Sequence, residues 1–170
     1  MTLQPQRDQL TGSRIHIGTD HAGLELSKLL ASALTEIGHQ VVDHGPTEYD
    51  PLDDYPEFCI AAAQAVARDI ANGTASLGIV IGGSGNGEQI AANKVPGIRA
   101  ALVWNEDTAR LAREHNDANI IAIGSRQHSP DECIRLVQAF VREPFSGETR
   151  HRRRISQILD YESGYLSNRA

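Results

Sequence analysis

Cysteine is scarce in this chain: Cys59 and Cys133 are the only two in 170 residues, far apart and without a metal-ligand companion nearby in sequence. A disulfide framework and a Cys-based zinc site are therefore not expected, and a reducing cytoplasm is the simplest setting. No signal peptide is evident, since the first twelve residues are polar and carry no apolar run. No stretch approaches the length needed to span a membrane. Basic residues are also in the minority, 16 against 22 acidic, for a formal net charge of -6. That balance argues against a nucleic-acid partner, whose binding depends on neutralising phosphates. One local exception stands near the end, where Arg150, Arg152, Arg153 and Arg154 surround His151. A small anionic ligand or a partner surface explains that spot better than a duplex does.

What is present is an alternating pattern. Residues 1–13 read as a flexible polar leader. From residue 14 to residue 170 a single domain is expected, with no linker and no internal repeat. Short apolar runs at 14–18, 40–43, 77–81, 99–104 and 119–123 read as strands. Helical periodicity marks 24–37, 55–70, 88–94, 106–114, 130–141 and 148–161. The run Leu77-Gly78-Ile79-Val80-Ile81 is apolar almost throughout, as a strand buried on both faces requires. Strands alternating with helices predict an α/β fold with a parallel sheet covered on both sides. Ligands of such sheets collect at the carboxyl ends of the strands. The residues after each strand are therefore the candidates: 19–23, the glycine loop 82–87, Trp104-Asn105 and Gly124-Ser125-Arg126.

Gly82-Gly83-Ser84-Gly85-Asn86-Gly87 packs four glycines into six residues between a strand and a helix start. Such loops aim backbone N–H groups at an anion. The dinucleotide fingerprint does not fit, because its third glycine would fall at Glu88. A phosphate loop of the Walker type does not fit either, since Glu88 and Gln89 stand where Lys and Ser or Thr belong. Glu88 does suit a loop that stabilises an anion formed during reaction, such as the enediolate left when a proton leaves carbon beside a carbonyl. Spacing alone weighs this evenly against a bland role, an acid complementing a helix N-terminus.

Three motifs in order, Gly18-Thr19-Asp20-His21-Ala22-Gly23, the run from Gly82 to Lys94 with Pro96-Gly97 after it, and Ala112-Arg113-Glu114-His115-Asn116, resemble the type B ribose-5-phosphate isomerases. That family also contains galactose-6-phosphate isomerase subunits. The likeness spans about residues 14–161. It implies a Rossmann-like three-layer α/β/α sandwich with a five-stranded parallel sheet. It also implies a homodimer or larger assembly with active sites shared between subunits, a small phosphorylated sugar as substrate, and no cofactor or metal. Many members carry a cysteine base where this chain has Gly82. In a second branch, which looks actinobacterial, the base is a glutamate after the loop, and Glu88 stands at that position.

The remaining roles follow from the same resemblance. Asp20 is expected to hold sugar hydroxyls or the ring oxygen, and His21 to lie near the phosphate; a loop-capping pair is the bland alternative. His115 is expected to open the furanose ring together with Asp20, with Asn116 in support; a helix-capping histidine is the alternative. Ser84 would meet the substrate's carbonyl or hydroxyls, and the backbone of Gly83, Gly85, Asn86 and Gly87 would hold the enediolate. Arg126 would meet the phosphate. Arg150 and Arg154, four apart on one helical face, would complete the clamp from a neighbouring subunit. Tyr49 is a further candidate for substrate contact. Ribose 5-phosphate is the default substrate. Tetrose or hexose phosphates, and a non-catalytic sugar-phosphate-binding module, are the alternatives.

Overall fold

The computed structural model describes residues 12–167. The expected leader therefore lies mostly outside the described residues, and its last position, Ser13, is buried, with its carbonyl accepting from the Gln40 backbone N–H. Five strands, β1 (Arg14–Thr19), β2 (Gln40–Asp43), β3 (Ser76–Gly82), β4 (Ala100–Leu102) and β5 (Ile120–Gly124), form one sheet in the order β2-β1-β3-β5-β4. Every pairing is parallel. Four α-helices connect them, α1 (Leu24–Glu36), α2 (Tyr55–Ala71), α3 (Asn86–Ala92) and α4 (Glu106–Asn116), and α5 (Pro130–Arg142) and α6 (Thr149–Ser167) follow β5. Among the described residues, no helix is long and apolar enough to cross a membrane.

The sheet sits between two apolar layers. On one face, Ile15, Ile17, Ile79, Ile81, Ile121 and Ile123 pack against α1, α4 and α5. On the other, Val80, Ile120 and Ala122 meet Cys59, Ala63 and Val66 of α2 and Ala91 and Ala92 of α3. This is the expected three-layer α/β/α architecture. Strand β3 is buried at all seven positions, which explains its unbroken apolar run. Edge strand β2 is nowhere fully buried.

Two differences from the sequence pattern bear on the site. Helix α3 begins at Asn86, inside the glycine loop, so Glu88 lies in its first turn rather than at its start. Gly85, at φ +81°, makes the bend that allows this. Strand β4 is only three residues long, because Trp104 and Asn105 already turn into the capping box that starts α4.

A buried polar chain ties β1 to α2 and the end of β2. Arg14 donates twice to Asp69, at 2.9 and 3.1 Å. The His16 ring bridges Asp69 at 2.9 Å and His44 at 2.8 Å. Burial alone would raise the Asp69 carboxyl pKa. The hydrogen bond from His16 and the charge of Arg14 outweigh it, and the net shift is downward. A carboxyl held below its unfolded value stabilises the fold fully above that unfolded value, about 3.9. This contribution disappears as pH falls through the lower folded value. Asp69→Asn should cost roughly 1–3 kcal/mol at neutral pH. It should also flatten the acid limb when the urea midpoint is followed downward from pH 5. An unchanged acid limb would show that the network does not link folding to protons.

Candidate active site

The register of the sheet lines up its functional ends. Thr19 pairs with Ile81, so Asp20 emerges beside Gly82, and Gly82 pairs with Gly124. The chain leaves β1 for β2 on one side and returns to β3 on the other. The crevice between β1 and β3 is thus a switch point of the kind where α/β sheets bind ligands. Thr19 Oγ1 closes the row by donating to the Ile81 carbonyl at 2.8 Å. On the far side, Ser125 N–H donates to the Gly82 carbonyl at 2.8 Å and Ser125 Oγ to the Ala22 carbonyl at 2.7 Å. The three strand ends are fastened to one another.

Glu88 lies in this row, only 5% exposed. Its carboxylate rests against the α-carbon of Gly82, so closely that a β-carbon added at Gly82 would overlap it. Burial pushes the Glu88 pKa upward, and the nearby charge of Asp20 adds to the rise. Backbone N–H groups of Glu88 itself and Gly85 pull the other way, and the net shift is upward. Cys59 of α2 is fully buried and close enough to feel both carboxylates. Burial and those two charges push its thiol far up, so it remains a neutral wall of the site.

Around this pair stand the other expected residues of the crevice. Asp20 is buried and caps the turn after β1, accepting from Ala22 N–H at 2.9 Å. His21 is gripped by Asp53, whose Oδ1 takes both its Nδ1 at 2.5 Å and its backbone N–H at 3.0 Å. Tyr49 stands edge-on to the His21 ring, with centroids 5.7 Å apart. Ser84 is exposed at the loop tip and shapes it, since its Oγ accepts from the Asn86 backbone and side chain at 3.4 and 3.2 Å. Its hydroxyl hydrogen is left for a ligand. Arg126 reaches back over Gly83 with its guanidinium. Gly87 fits against the Tyr55 ring. Beside the loop a cleft of about 520 Å³ opens, walled by Ser84, Asn86, Trp104, Gln127 and His128.

Asp20, His21 and Asp53 also hold one possible metal-ligand atom each within 4.8 Å of one another. In the structure Asp53 Oδ1 holds His21 Nδ1, and Asp20 Oδ1 accepts from Ala22 N–H. Sequence reasoning missed Asp53 and Tyr55. Asp53 sits in an Asp- and Pro-rich loop that marks a turn and says nothing about which histidine it will meet.

The structure does not bring His115 into the crevice with Asp20 and Glu88, as the sequence reading expected within one set of roles. Helix α4 starts at the carboxyl end of the sheet and runs about 16 Å back down it. Its last turn therefore lies at the amino ends of the strands. There Arg99, just before β4, donates to the carbonyls of Asn116 and Asp117 at 2.9 and 2.7 Å. Helix α6 starts at the same end. His151, 2% exposed, packs tilted against His115 with centroids 4.4 Å apart and meets Ser146 Oγ through Nδ1 at 2.7 Å. Arg150 and Arg154 are exposed on that helix, Arg150 bonded to Glu148 at 2.8 Å. His115, Asn116, Arg150 and Arg154 thus form a second cluster, and the seven residues of β3, about 20 Å, separate the two ends.

The sequence profile of the ribose/galactose isomerase family matches residues 15–158. Ribose-5-phosphate isomerase B of Mycobacterium tuberculosis is 52% identical over 153 residues, covering 90% of this chain and 92% of that protein. The Mycolicibacterium paratuberculosis protein of the same name is 54% identical over 149 residues, covering 88% and 91%. Among solved structures, the type B ribose 5-phosphate isomerase of Trypanosoma cruzi superposes with a TM-score of 0.84 at 38% identity, covering 91% of this chain and 99% of that one. Ribose-5-phosphate isomerase B of Mycoplasma genitalium, solved with bound ribulose-5-phosphate, gives 0.83 at 43% identity, covering 88% and 96%. Alike in sequence along nine-tenths of its length and alike in fold, this chain belongs to the ribose/galactose isomerase family.

Proposed function

We propose that this chain interconverts ribose 5-phosphate and ribulose 5-phosphate, with Glu88 as the base. The observation that carries this reading is the Glu88 carboxylate, buried against Gly82 at the β1–β3 crevice with its pKa raised. A carboxylate so placed is a better proton acceptor than one in water. It takes the proton from C2 of the open aldose. The C2–H electron pair forms the C1–C2 double bond, and the carbonyl pair moves onto O1, giving the enediolate. Glu88 then returns its proton to C1 while the O2 proton passes to O1, leaving O1 a hydroxyl and O2 the ketose carbonyl. Loop N–H groups and Ser84 stabilise the charge on oxygen. Asp20 orients the sugar, and His21 and Arg126 receive the phosphate. The names and bound ligand of the relatives support the pentose phosphate as substrate. Free buried thiols at Cys59 and Cys133 fit a cytoplasmic setting.

The second cluster gives the reading its quaternary form. His115, Asn116, Arg150 and Arg154 act in the crevice of a second copy, where His115 opens the furanose ring and the arginines close on the phosphate. Two-fold symmetry then yields two complete sites per dimer, each built from opposite ends of two sheets.

Three experiments test this reading. Glu88→Gln should lower kcat by about a thousandfold or more while phosphate binding persists. The same change should raise the melting temperature. A carboxyl whose pKa is raised on folding stabilises only below its unfolded value, and loses that stabilisation as pH rises through the folded value. The raised pKa therefore works against the fold as pH rises, and glutamine removes that cost. Normal turnover in this variant would sink the base assignment. Gly82→Ala should displace the carboxylate and cut kcat with little effect on phosphate affinity; an alanine variant of wild-type activity would show that the contact is dispensable. Finally, Glu88→Gln and His115→Gln chains, each inactive alone, should recover about a quarter of wild-type activity when refolded together in equal amounts, because half the dimers are hybrids with one intact site. No recovery would refute the shared site.

A further inference from the structure

We propose that Asp53 is a positioning residue for the phosphate end of the substrate, fixing His21 with a protonated Nδ1 so that Nε2 donates to the phosphate. The inference rests on the assignment of His21 to that phosphate. Two hydrogen bonds converge on a single oxygen, Asp53 Oδ1, one from the His21 ring and one from its backbone. The Asp53 side chain is only 9% exposed, and its other oxygen, Oδ2, is buried with no partner among the described residues. A buried carboxylate with an unsatisfied oxygen is costly, and turn-making alone does not require one.

An ionised carboxylate only accepts, so the hydrogen between the two groups belongs to Nδ1. The opposite ring nitrogen, Nε2, is then the atom left for a ligand, and the His21 side chain is 21% exposed. A phosphate dianion likewise only accepts. Meeting it requires hydrogen on Nε2 as well, which makes the ring an imidazolium. Asp53 is the counter-charge that keeps this cation acceptable in a half-buried place. Tyr49, edge-on to the ring, limits its rotation about the remaining bond. Asp53 therefore never touches the sugar. It decides which face of His21 does, and in which protonation state.

The same three side chains suggest a rival, a divalent cation held by Asp20, His21 and Asp53. It needs Nδ1 without hydrogen, the opposite of the proposal, so one experiment separates them. Inorganic phosphate is titrated calorimetrically into the wild-type protein and into Asp53→Ala, Asp53→Asn, His21→Gln and the His21→Gln/Asp53→Ala double variant. The binding constants are set beside kcat and KM for ribose 5-phosphate. Asp53→Ala should weaken phosphate about tenfold or more and raise KM in step, with kcat falling no more than about threefold. Asp53→Asn, which keeps the shape and the acceptor oxygen, should show most of that loss because it lacks the charge. The double variant should be no worse than His21→Gln alone. With ¹⁵N-labelled histidine, phosphate should bring both His21 nitrogens to the protonated signature in wild type and not in Asp53→Ala. Wild-type affinity in Asp53→Asn, strictly additive losses, or a fall in kcat at constant KM would overturn the proposal. So would phosphate binding strengthened by Mn²⁺ and abolished by EDTA. If the wild-type protein turns over no pentose phosphate, the substrate assignment fails, and the phosphate titrations still decide the role of Asp53.

Discussion

The constraint on which the rest of the site depends is steric: the last residue of the central strand has no side chain. With Gly82 bare, the carboxylate of Glu88 can fold back onto the strand end and leave water without leaving the crevice. Any side chain there would expel it. The neighbouring features serve this placement. Gly85 supplies the left-handed bend that starts α3 early enough to turn Glu88 inward, and Ser125 holds the Gly82 carbonyl from the β5 side. Asp20, one strand away, adds a like charge that raises proton affinity further. Within a few residues, covalent geometry, packing and electrostatics all favour a carboxyl of higher pKa.

The layout was largely legible because burial writes itself into sequence. A strand enclosed on both faces must be apolar at every position, and Leu77–Ile81 is. Helical spacing placed α1, α2 and α5 to within a residue, whereas α6 runs six residues past its expected end. The errors fall where local signals compete. Asn86 and Gly87 look like loop but are helical, since the backbone turn is made earlier by Gly85. Trp104 reads as strand, yet Asn105 and Thr108 claim that segment as a helix cap.

The candidate site was legible in part, and the parts differ in kind. Asp20, Ser84, Glu88 and Arg126 follow strands directly, so chain order alone brings them to one edge. His115 follows a helix. A helix that starts at the top of a parallel sheet must end at the bottom, and that is where His115 is. Its neighbours in space, His151 and Ser146, come from segments thirty or more residues later and signal nothing in advance. Asp53 was invisible for the same reason: a pairing between two loops has no period. What the motif could supply was the identity of the residues, and what only the fold could supply was which of them share a side.

Redox chemistry separates a carboxylate base from a thiolate one. A thiolate poised to take a proton is also poised to react with peroxide or an electrophile, and each such event stops turnover. A carboxylate has no comparable ladder of oxidation. Among the described residues, the sulfur near Glu88 is that of Cys59 on α2, kept as a thiol by its own burial and the two acids beside it. With Gly82 in place of sulfur at the strand end, the described residues of the crevice present no reactive thiolate to an oxidant. With Glu88 as the proposed base, sugar-phosphate interconversion would not depend on the thiol state of the surroundings.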